Sequence, residues 1–283
     1  MGPTVEIGIH VSLWTPNWTD PILGHMETAA QLGFHAVEIP LMEPSSVPAG
    51  KIKELAARLG LSVYCGTGLG PATDISSPDR ETRLRGMKHL TACLQIASAI
   101  GSPSLEGVIH SSWGKHAPVT DGERKYSADI LHQVADQAGS LGIQMALECI
   151  NRYESSFLNS VKQGKEMLRL IDHPAVGLHL DTYHMNIEEQ SIALALTEAG
   201  EDLFFLHFSE NTRGYPGSGS LPWPDILDAL KQMDYAGPLV MESYVLPDCQ
   251  SGNDCSIWRP IEQDAEGQLK RSLDFITALW MMR

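Results

Sequence analysis

The sequence predicts a single (β/α)8 barrel of the TIM type that spans residues 1–283. Short segments rich in β-branched residues alternate with longer amphipathic segments along the whole chain, and eight such pairs can be counted. Gly60, Gly101 and Gly142 each follow a helical segment and precede a strand, where a left-handed C-terminal cap would turn the chain. Because barrels of roughly 250 residues commonly form one domain, the length requires no second domain.

The predicted strands are the short segments at residues 5–14, 35–40, 61–67, 104–110, 143–150, 176–182, 204–209 and 238–244. The clearest predicted helices, in which apolar residues recur every three or four positions, are 49–59, 80–100, 128–141, 161–171 and 224–233. A last helix is expected at 261–282, after an irregular loop at 245–260. An open doubly wound sheet is the alternative, but no GxGxxG motif follows the first strand, so a closed barrel is favoured.

The composition is that of a globular enzyme with an acidic surface. Hydrophobic residues make up 43% of the chain and charged residues 19%, which excludes a disordered or collagen-like protein. The formal net charge of -15 repels phosphate backbones, so nucleic acid is not expected as a partner. The same charge disfavours a phosphorylated substrate, and a neutral sugar fits more easily.

The cysteines and the chain start indicate a cytoplasmic protein. The 5 cysteines form no CxxC pair, and an odd number in a long chain indicates no disulfide framework. The first ten residues lack a basic region followed by an apolar stretch, and no segment approaches the roughly 18 apolar residues of a membrane span. We therefore expect a reducing compartment and no membrane contact.

Four consecutive predicted strands, the fifth to the eighth, each end with a potential metal ligand. Side chains alternate between the two faces of a strand, so Glu148 points into the barrel while its neighbours point towards the helices. The same alternation turns Asp181, His207 and Glu242 inward. Residues at the carboxyl ends of barrel strands converge on one site, so these four side chains are predicted to meet there.

Three inward carboxylates and one imidazole would be costly to bury together unless a cation neutralises them. The oxygen-rich donor set suits Mn²⁺, Co²⁺ or Mg²⁺ better than a structural zinc ion. Glu148 and Glu242 lie on separated strands, so they could approach a bound ketose from opposite sides. If one removes a carbon-bound proton and the other returns one through a metal-stabilised enediolate, the carbon is inverted, which is epimerisation.

The segments ALECINRYE, HLDTYHMNIEE, HFSENTRGYPGSG and MESY resemble the corresponding motifs of the D-tagatose 3-epimerase family. That family includes D-allulose (psicose) 3-epimerases and L-ribulose 3-epimerases, within the xylose isomerase-like barrel superfamily. The resemblance extends through IGIHVSLW, VEIP and VIHSSWG in the first half of the chain. It implies a metal-dependent isomerase that interconverts free ketoses at C3, with Mn²⁺ as the first choice of metal and a homodimer or homotetramer as the assembly. The implied pairs are D-fructose with D-allulose, D-tagatose with D-sorbose, and L-ribulose with L-xylulose.

By this resemblance, the four inward residues match the metal ligands of the family, and Glu148 and Glu242 also match its pair of proton-transfer residues. The resemblance adds Glu154, His184 and Arg213 as residues that hold the carbonyl end of the ketose. An arginine and a histidine beside a developing oxyanion would stabilise its charge.

Contacts with the far end of the sugar are expected from the first half of the chain. Trp14, Gly66 and Trp113 are the candidates, with Cys65 and His110 as further candidates without an assigned role. The two tryptophans could stack on sugar carbons or simply pack near the barrel mouth.

Two other polar residues are expected to lie behind the site. His179, one layer deeper than Asp181, is expected to be a core histidine, and Glu38 a second-shell or structural carboxylate. Glu106 is given no role.

Three alternative functions share parts of this pattern. An aldose-ketose or hydroxypyruvate/inosose-type isomerase on the same barrel uses similar enediol chemistry, so the metal ligands alone do not decide between them. A metal-dependent endonuclease of the same superfamily would need more ligands and a basic face, which the sequence lacks. A non-catalytic sugar-binding protein would show no metal-dependent turnover.

Overall fold

The protein is described by a computed structural model that covers residues 6–262 and 265–282, in which eight parallel strands close into a barrel. The strands are β1 Ile7–His10, β2 Ala36–Pro40, β3 Ser62–Gly66, β4 Ser104–Gly107, β5 Gln144–Glu148, β6 Val176–Asp181, β7 Leu203–Phe208 and β8 Leu239–Met241. Each strand pairs with its sequence neighbours, and β1 pairs with β8 to complete the ring. The predicted (β/α)8 barrel is confirmed.

Helices connect the strands and cover the outside of the barrel. They are α1 Leu23–Leu32, α2 Ala49–Leu59, α3 Arg80–Ile100, α4 Asp121–Ser140, α5 Val161–Ile171, α6 Thr182–Glu188, α7 Ile192–Ala199, α8 Trp223–Gln232, α9 Gln250–Asp254 and α10 Ala265–Met281. Helices α2, α3 and α5 have the predicted bounds. Within the described ranges, no helix combines the length and the apolar character that crossing a membrane requires.

A layer of apolar side chains fills the barrel interior beneath the strand ends. It consists of Ala36, Tyr64, Ala146, Phe205 and Val240, which form one buried cluster. On each strand the residue two positions further along points into the barrel one layer higher, because side chains alternate between faces. The apolar layer therefore supports a polar layer at the barrel mouth.

The first predicted strand is too long at its carboxyl end. Strand β1 ends at His10, and Val11–Leu13 forms a 3₁₀ helix. The backbone N–H of Ser12 donates to His10 Nδ1 at 3.2 Å, which caps this turn and redirects the chain. Val5, where the predicted strand begins, lies outside the described residues.

Helix α4 begins at Asp121, seven residues before the predicted start at residue 128. Thr120 and Glu123 form a capping box, in which Thr120 Oγ1 accepts from the Glu123 backbone at 3.2 Å and Glu123 Oε2 accepts from the Thr120 backbone at 2.8 Å. The first two turns are held by these polar contacts, so apolar periodicity alone misses them.

The predicted loop at 245–260 contains the short helix α9, and we call residues 245–260 the capping segment. It packs on the connection after β1, where the Ser251 backbone donates to Pro16 O at 3.1 Å and Trp18 Nε1 donates to Asp254 Oδ2 at 2.7 Å. Trp258 is 73% exposed, so it does not pack within the chain. Of the last predicted helix, residues 263 and 264 lie outside the described ranges, and α10 begins at Ala265.

Candidate active site

The four predicted metal ligands meet at the carboxyl ends of their strands. Glu148, Asp181, His207 and Glu242 each offer a ligand atom, and these atoms all lie within 4.8 Å of one another. All four side chains are buried. Pairing of β6 with β7 places Asp181 beside His207, so the sheet register itself brings two of them together. The cluster could hold a metal ion.

A cavity that is open to solvent lies at the barrel mouth beside this cluster. Of the predicted ligands, Glu148, His207 and Glu242 line it, while Asp181 is fully buried and is not among the lining residues. The other predicted site residues that line the cavity are Gly66, Trp113, Glu154, His184 and Arg213.

Arg213 lies between two of the carboxylates. Its Nη1 donates to Asp181 Oδ2 at 2.7 Å and to Glu242 Oε2 at 2.8 Å, and the side chain is buried. Its backbone has φ +64°, in the left-handed region that non-glycine residues rarely adopt. The Glu210 carbonyl accepts from the Arg213 backbone at 2.9 Å, so a tight turn after β7 directs the guanidinium into the site.

Asn151 anchors both His184 and Glu154. Its backbone N–H donates to His184 Nδ1 at 3.2 Å, while His184 Nε2 lies 3.2 Å from Arg213 Nη2 and 3.6 Å from Glu148 Oε1. The Asn151 side chain donates to Glu154 Oε1 at 3.0 Å, and Trp113 Nε1 donates to Glu154 Oε2 at 3.3 Å. Asn151 lies in the segment ALECINRYE, but the sequence does not predict its role.

Glu38 lies directly behind His207. Glu38 Oε2 is 2.5 Å from His207 Nε2, while His207 Nδ1 has no hydrogen-bond partner among the described residues and lies 3.5 Å from Glu242 Oε2. Burial disfavours the imidazolium, but the carboxylates of Glu38 and Glu242 raise the pKa of His207 well above its usual value. The expectation that Glu38 supports the site from behind stays a prediction, since Glu38 also lines the cavity.

The two candidate proton-transfer glutamates have pKa values shifted in opposite directions. Burial, followed by the charge of Glu242, raises the pKa of Glu148 well above its usual value. Burial would also raise the pKa of Glu242, but His207 and Arg213 lower it well below its usual value. Environments that separate two carboxyl pKa values in this way are typical of acid-base pairs.

The chemistry of the donor set fits a divalent cation. Glu148, Asp181 and Glu242 bring three carboxyl groups together, and Arg213 pairs with Asp181 and Glu242. The unpartnered Nδ1 of His207 faces the same space. Oxygen donors with one imidazole nitrogen suit Mn²⁺, Co²⁺ or Mg²⁺. Burial raises the pKa of Asp181 to about 6.

Trp14 is not brought to the cavity. Its ring stacks on His25 with centroids 5.7 Å apart, and it packs against the hydrophobic core. The 3₁₀ turn after His10 explains this placement, because it ends the alternation on which the prediction depends. Trp18 lines the cavity instead.

The two further candidates, Cys65 and His110, also lie away from the cavity lining. Cys65 is buried in the core between barrel and helices. His110 Nε2 is 2.9 Å from the Glu148 carbonyl oxygen, and its ring stacks on Phe157 with centroids 5.3 Å apart. His110 thus supports the backbone of Glu148.

His179 is fully buried, as expected, and its ring lies 4.2 Å from that of His207. Its nearest ring nitrogen is 4.0 Å from Glu148 Oε2. Together with Glu148 and His207 it forms a second grouping whose ligand atoms are close enough for a metal ion.

Tyr244 and Cys255 are among the cavity-wall residues that the sequence does not predict. Tyr244 donates its hydroxyl proton to Glu242 Oε1 at 2.9 Å. A hydroxyl-bearing aromatic two residues after an inward glutamate is a signal that could have indicated this contact. Cys255 reaches the cavity from the capping segment, for which strand alternation gives no signal.

Comparisons with known proteins agree with this geometry. The family described as Xylose isomerase-like TIM barrel matches residues 26–279. The chain is 35% identical to a ketose 3-epimerase of Arthrobacter globiformis over 93% of this chain and 92% of that protein. It is 33% identical to an L-ribulose 3-epimerase of Methylomonas sp. (strain DH-1) over 96% of each. The crystal structure of D-allulose 3-epimerase from Methylomonas sp. in complex with D-allulose has a TM-score of 0.92 and 33% identity, and the match covers 97% of this chain and 96% of that one.

Proposed function

Since the chain belongs to the xylose isomerase-like TIM barrel family and, within it, to the isomerase-class ketose 3-epimerases, we propose that it epimerises a free ketose at C3. The proposal includes a divalent cation held by Glu148, Asp181, His207 and Glu242. The observation that carries it is the pair of buried glutamates, Glu148 and Glu242, which line one cavity from β5 and from the end of β8.

In this mechanism the two glutamates exchange protons with the same carbon. One takes the proton from C3, which gives an enediolate, and the other donates a proton to the opposite face of C3. One C–H bond breaks and one forms, so the product has the formula of the substrate with C3 inverted. The two glutamates exchange roles in the reverse direction.

His184, Arg213 and Glu154 would hold the carbonyl end of the sugar. The guanidinium of Arg213 is a donor that can stabilise negative charge on substrate oxygens, and the imidazole of His184 lies beside it, with Nε2 3.2 Å from Arg213 Nη2. Glu154, fixed by Asn151 and Trp113, can accept from a substrate hydroxyl. A bound divalent cation would supply Lewis-acid stabilisation of the developing negative charge.

We propose as substrates free ketoses of the kind that appear in the names of the relatives, each taken together with its C3 epimer. The candidate pairs are D-fructose with D-allulose, D-tagatose with D-sorbose, and L-ribulose with L-xylulose. Mn²⁺ is our first choice of metal, with Co²⁺ or Mg²⁺ as alternatives. Gly66 and Trp113 line the cavity and would contact the far end of the sugar.

We also propose a cytoplasmic homodimer or homotetramer. All five cysteines are free thiols, as a reducing compartment requires. Tyr153 is 74% exposed and Trp258 is 73% exposed, and large exposed aromatics are enriched in protein interfaces. Light scattering of the purified protein measures the assembly.

Deuterium labelling tests the reaction. The chelator-treated protein is loaded with Mn²⁺, Co²⁺ or Mg²⁺ and incubated in deuterated water with each candidate ketose. We expect deuterium at C3 of the epimeric product and no turnover without metal. Label only at C1 or C2 would instead support an aldose-ketose isomerase and contradict the proposal.

Substitution of each glutamate tests the two-base mechanism. Glu148→Gln and Glu242→Gln keep the shape of the side chain but cannot transfer the proton, so we expect a loss of at least about 1,000-fold in kcat. Glu188→Gln is the matched control, because Glu188 pairs with Arg152 away from the cavity. Full activity in both active-site variants would refute the mechanism.

A further inference from the structure

We infer that Glu38 is a positioning residue that sets the metal affinity of the site by fixing the tautomer of His207. The inference rests on the proposed metal site and extends it to a carboxylate that is not itself a predicted ligand. Glu38 is buried on β2, and its Oε2 lies 2.5 Å from His207 Nε2.

The two ring nitrogens of His207 face different partners. A neutral imidazole has one N–H and one lone pair, and only the lone pair can bind a metal. A carboxylate oxygen is an acceptor, so Glu38 Oε2 favours the proton on His207 Nε2 and leaves the lone pair on Nδ1. Nδ1 is the nitrogen that lies 3.5 Å from Glu242 Oε2 and has no hydrogen-bond partner in the described part of the chain. Glu38 therefore selects the tautomer that can act as a ligand.

Neighbours on both sides fix the Glu38 carboxylate. The Ser12 backbone donates to His10 Nδ1, so the proton of neutral His10 lies on Nε2, which is 3.7 Å from Glu38 Oε1. On the other side is Gly66, where an added Cβ would overlap Glu38 Oε1. A glycine at this position leaves the space that the carboxylate occupies.

Glu106 provides a matched control in the same barrel interior. It is fully buried on β4, and neither of its carboxylate oxygens has a hydrogen-bond partner within residues 6–262 and 265–282. Burial, followed by the charge of Glu38, raises the pKa of Glu106 well above its usual value. Glu106→Gln is therefore an equally conservative change at a buried glutamate that makes no hydrogen bond to His207.

The test measures the dissociation constant of Mn²⁺ by equilibrium dialysis on the full chain. The visible absorption of bound Co²⁺ is a second measurement, which reports the coordination geometry. We expect Glu38→Gln to weaken Mn²⁺ binding by about 10- to 100-fold, the usual effect of losing the outer partner of a ligating histidine. The glutamine amide can donate to Nε2, which would move the imidazole proton to the metal-binding nitrogen. Gly66→Ala, which retains Glu38 but displaces it, should weaken binding in the same direction, and Glu106→Gln should leave the affinity unchanged.

Wild-type affinity in both Glu38→Gln and Gly66→Ala would overturn the inference while leaving the proposed function intact. An equal loss in Glu106→Gln would also overturn it, because the effect would then come from any buried carboxylate rather than from the contact with His207. If wild-type protein binds no metal, the proposed function fails and the inference fails with it. Should Glu38→Gln not fold, Gly66→Ala with Glu106→Gln as its control decides the question.

Discussion

Arg213 and Asp181 form a buried ion pair in which the guanidinium Nη1 lies 2.7 Å from Asp181 Oδ2. The same nitrogen lies 2.8 Å from Glu242 Oε2, so one side chain connects the carboxylate that ends β6 with the one that follows β8. A planar guanidinium has several donors in a fixed arrangement, whereas a lysine ammonium is a flexible point charge. The positions of these two carboxylates therefore depend on arginine and not only on a positive charge.

Arg213→Lys should retain the fold and lose activity. We expect kcat/KM to fall by about 100-fold, because a donor aimed at developing charge is displaced. Steady-state kinetics with the best ketose of the panel measures this loss. Arg152→Lys, at the surface pair with Glu188, is the control, and a kcat/KM for Arg213→Lys equal to that of the control would contradict the prediction.

Tyr244→Phe should lower kcat by about 10-fold with little change in KM, since a hydrogen bond to a charged group contributes roughly 1.5–3 kcal/mol. The variant removes only the hydroxyl that donates to Glu242 Oε1 at 2.9 Å. Tyr64→Phe is the control, because Tyr64 donates to Glu6 rather than to a site residue. The prediction is wrong if the two variants have the same kcat.

Trp18→Ala and Trp14→Ala should affect different properties. Trp18 lines the cavity and anchors the capping segment through Asp254. Its removal should therefore raise KM by about 10-fold, which corresponds to a loss of roughly 1.4 kcal/mol in the free energy of substrate binding from the aromatic contact. Trp14 packs on His25 and the core, so its removal should lower the free energy of unfolding by about 1–3 kcal/mol and leave KM unchanged. Kinetics and urea unfolding of both variants measure the two effects. A raised KM in Trp14→Ala alone would restore the sequence-based assignment.

Glu123 should contribute stability that depends on pH. Burial would raise its pKa, but hydrogen bonds from Lys115 and Thr120 lower it to about 2, from an ordinary value of 4.5. Because the folded-state pKa is depressed, the stabilisation is fully present above about pH 4.5 and is lost as the pH falls towards 2. Glu123→Gln should therefore cost about 1–2 kcal/mol at pH 7 and less at pH 3.

Urea unfolding at pH 7 and pH 3 measures the cost of Glu123→Gln. Glu27→Gln is the control, since Glu27 pairs with Arg58 on the surface and both side chains are more than half exposed. An equal cost of Glu123→Gln at both pH values would contradict the predicted window.

The part of the site that the sequence predicts is the part that strand alternation determines. Glu148, Asp181, His207 and Glu242 lie on or directly after strands whose apolar neighbours face the helices, so their inward direction can be read from local pattern. The positions of Arg213 and His184 were available only through the family resemblance, because both lie beyond the strand ends, where alternation stops.

The contacts that were missed join distant parts of the chain or follow a turn. Glu38 and His207 are 169 residues apart, and nothing local to either residue indicates the other. The sequence places Trp14 at the cavity and not Trp18. It gives no sign of the short 3₁₀ helix at Val11–Leu13, which changes the direction of the chain. Cys255 enters the cavity through packing of the capping segment, which depends on contacts such as Trp18 with Asp254.

The apolar layer beneath the barrel mouth restricts where residues can be inserted into the chain or deleted from it. Its members are Ala36, Tyr64, Ala146, Phe205 and Val240. Deleting or inserting one residue inside β5 would exchange the two faces of the strand beyond that point, so that Glu148 would face the helices and an aliphatic neighbour would enter the barrel. Changes of length in the connections leave the faces of the strands unaltered. Insertions and deletions among descendants of this chain should therefore occur in the connections and not in the strands, even where single substitutions within the strands are tolerated.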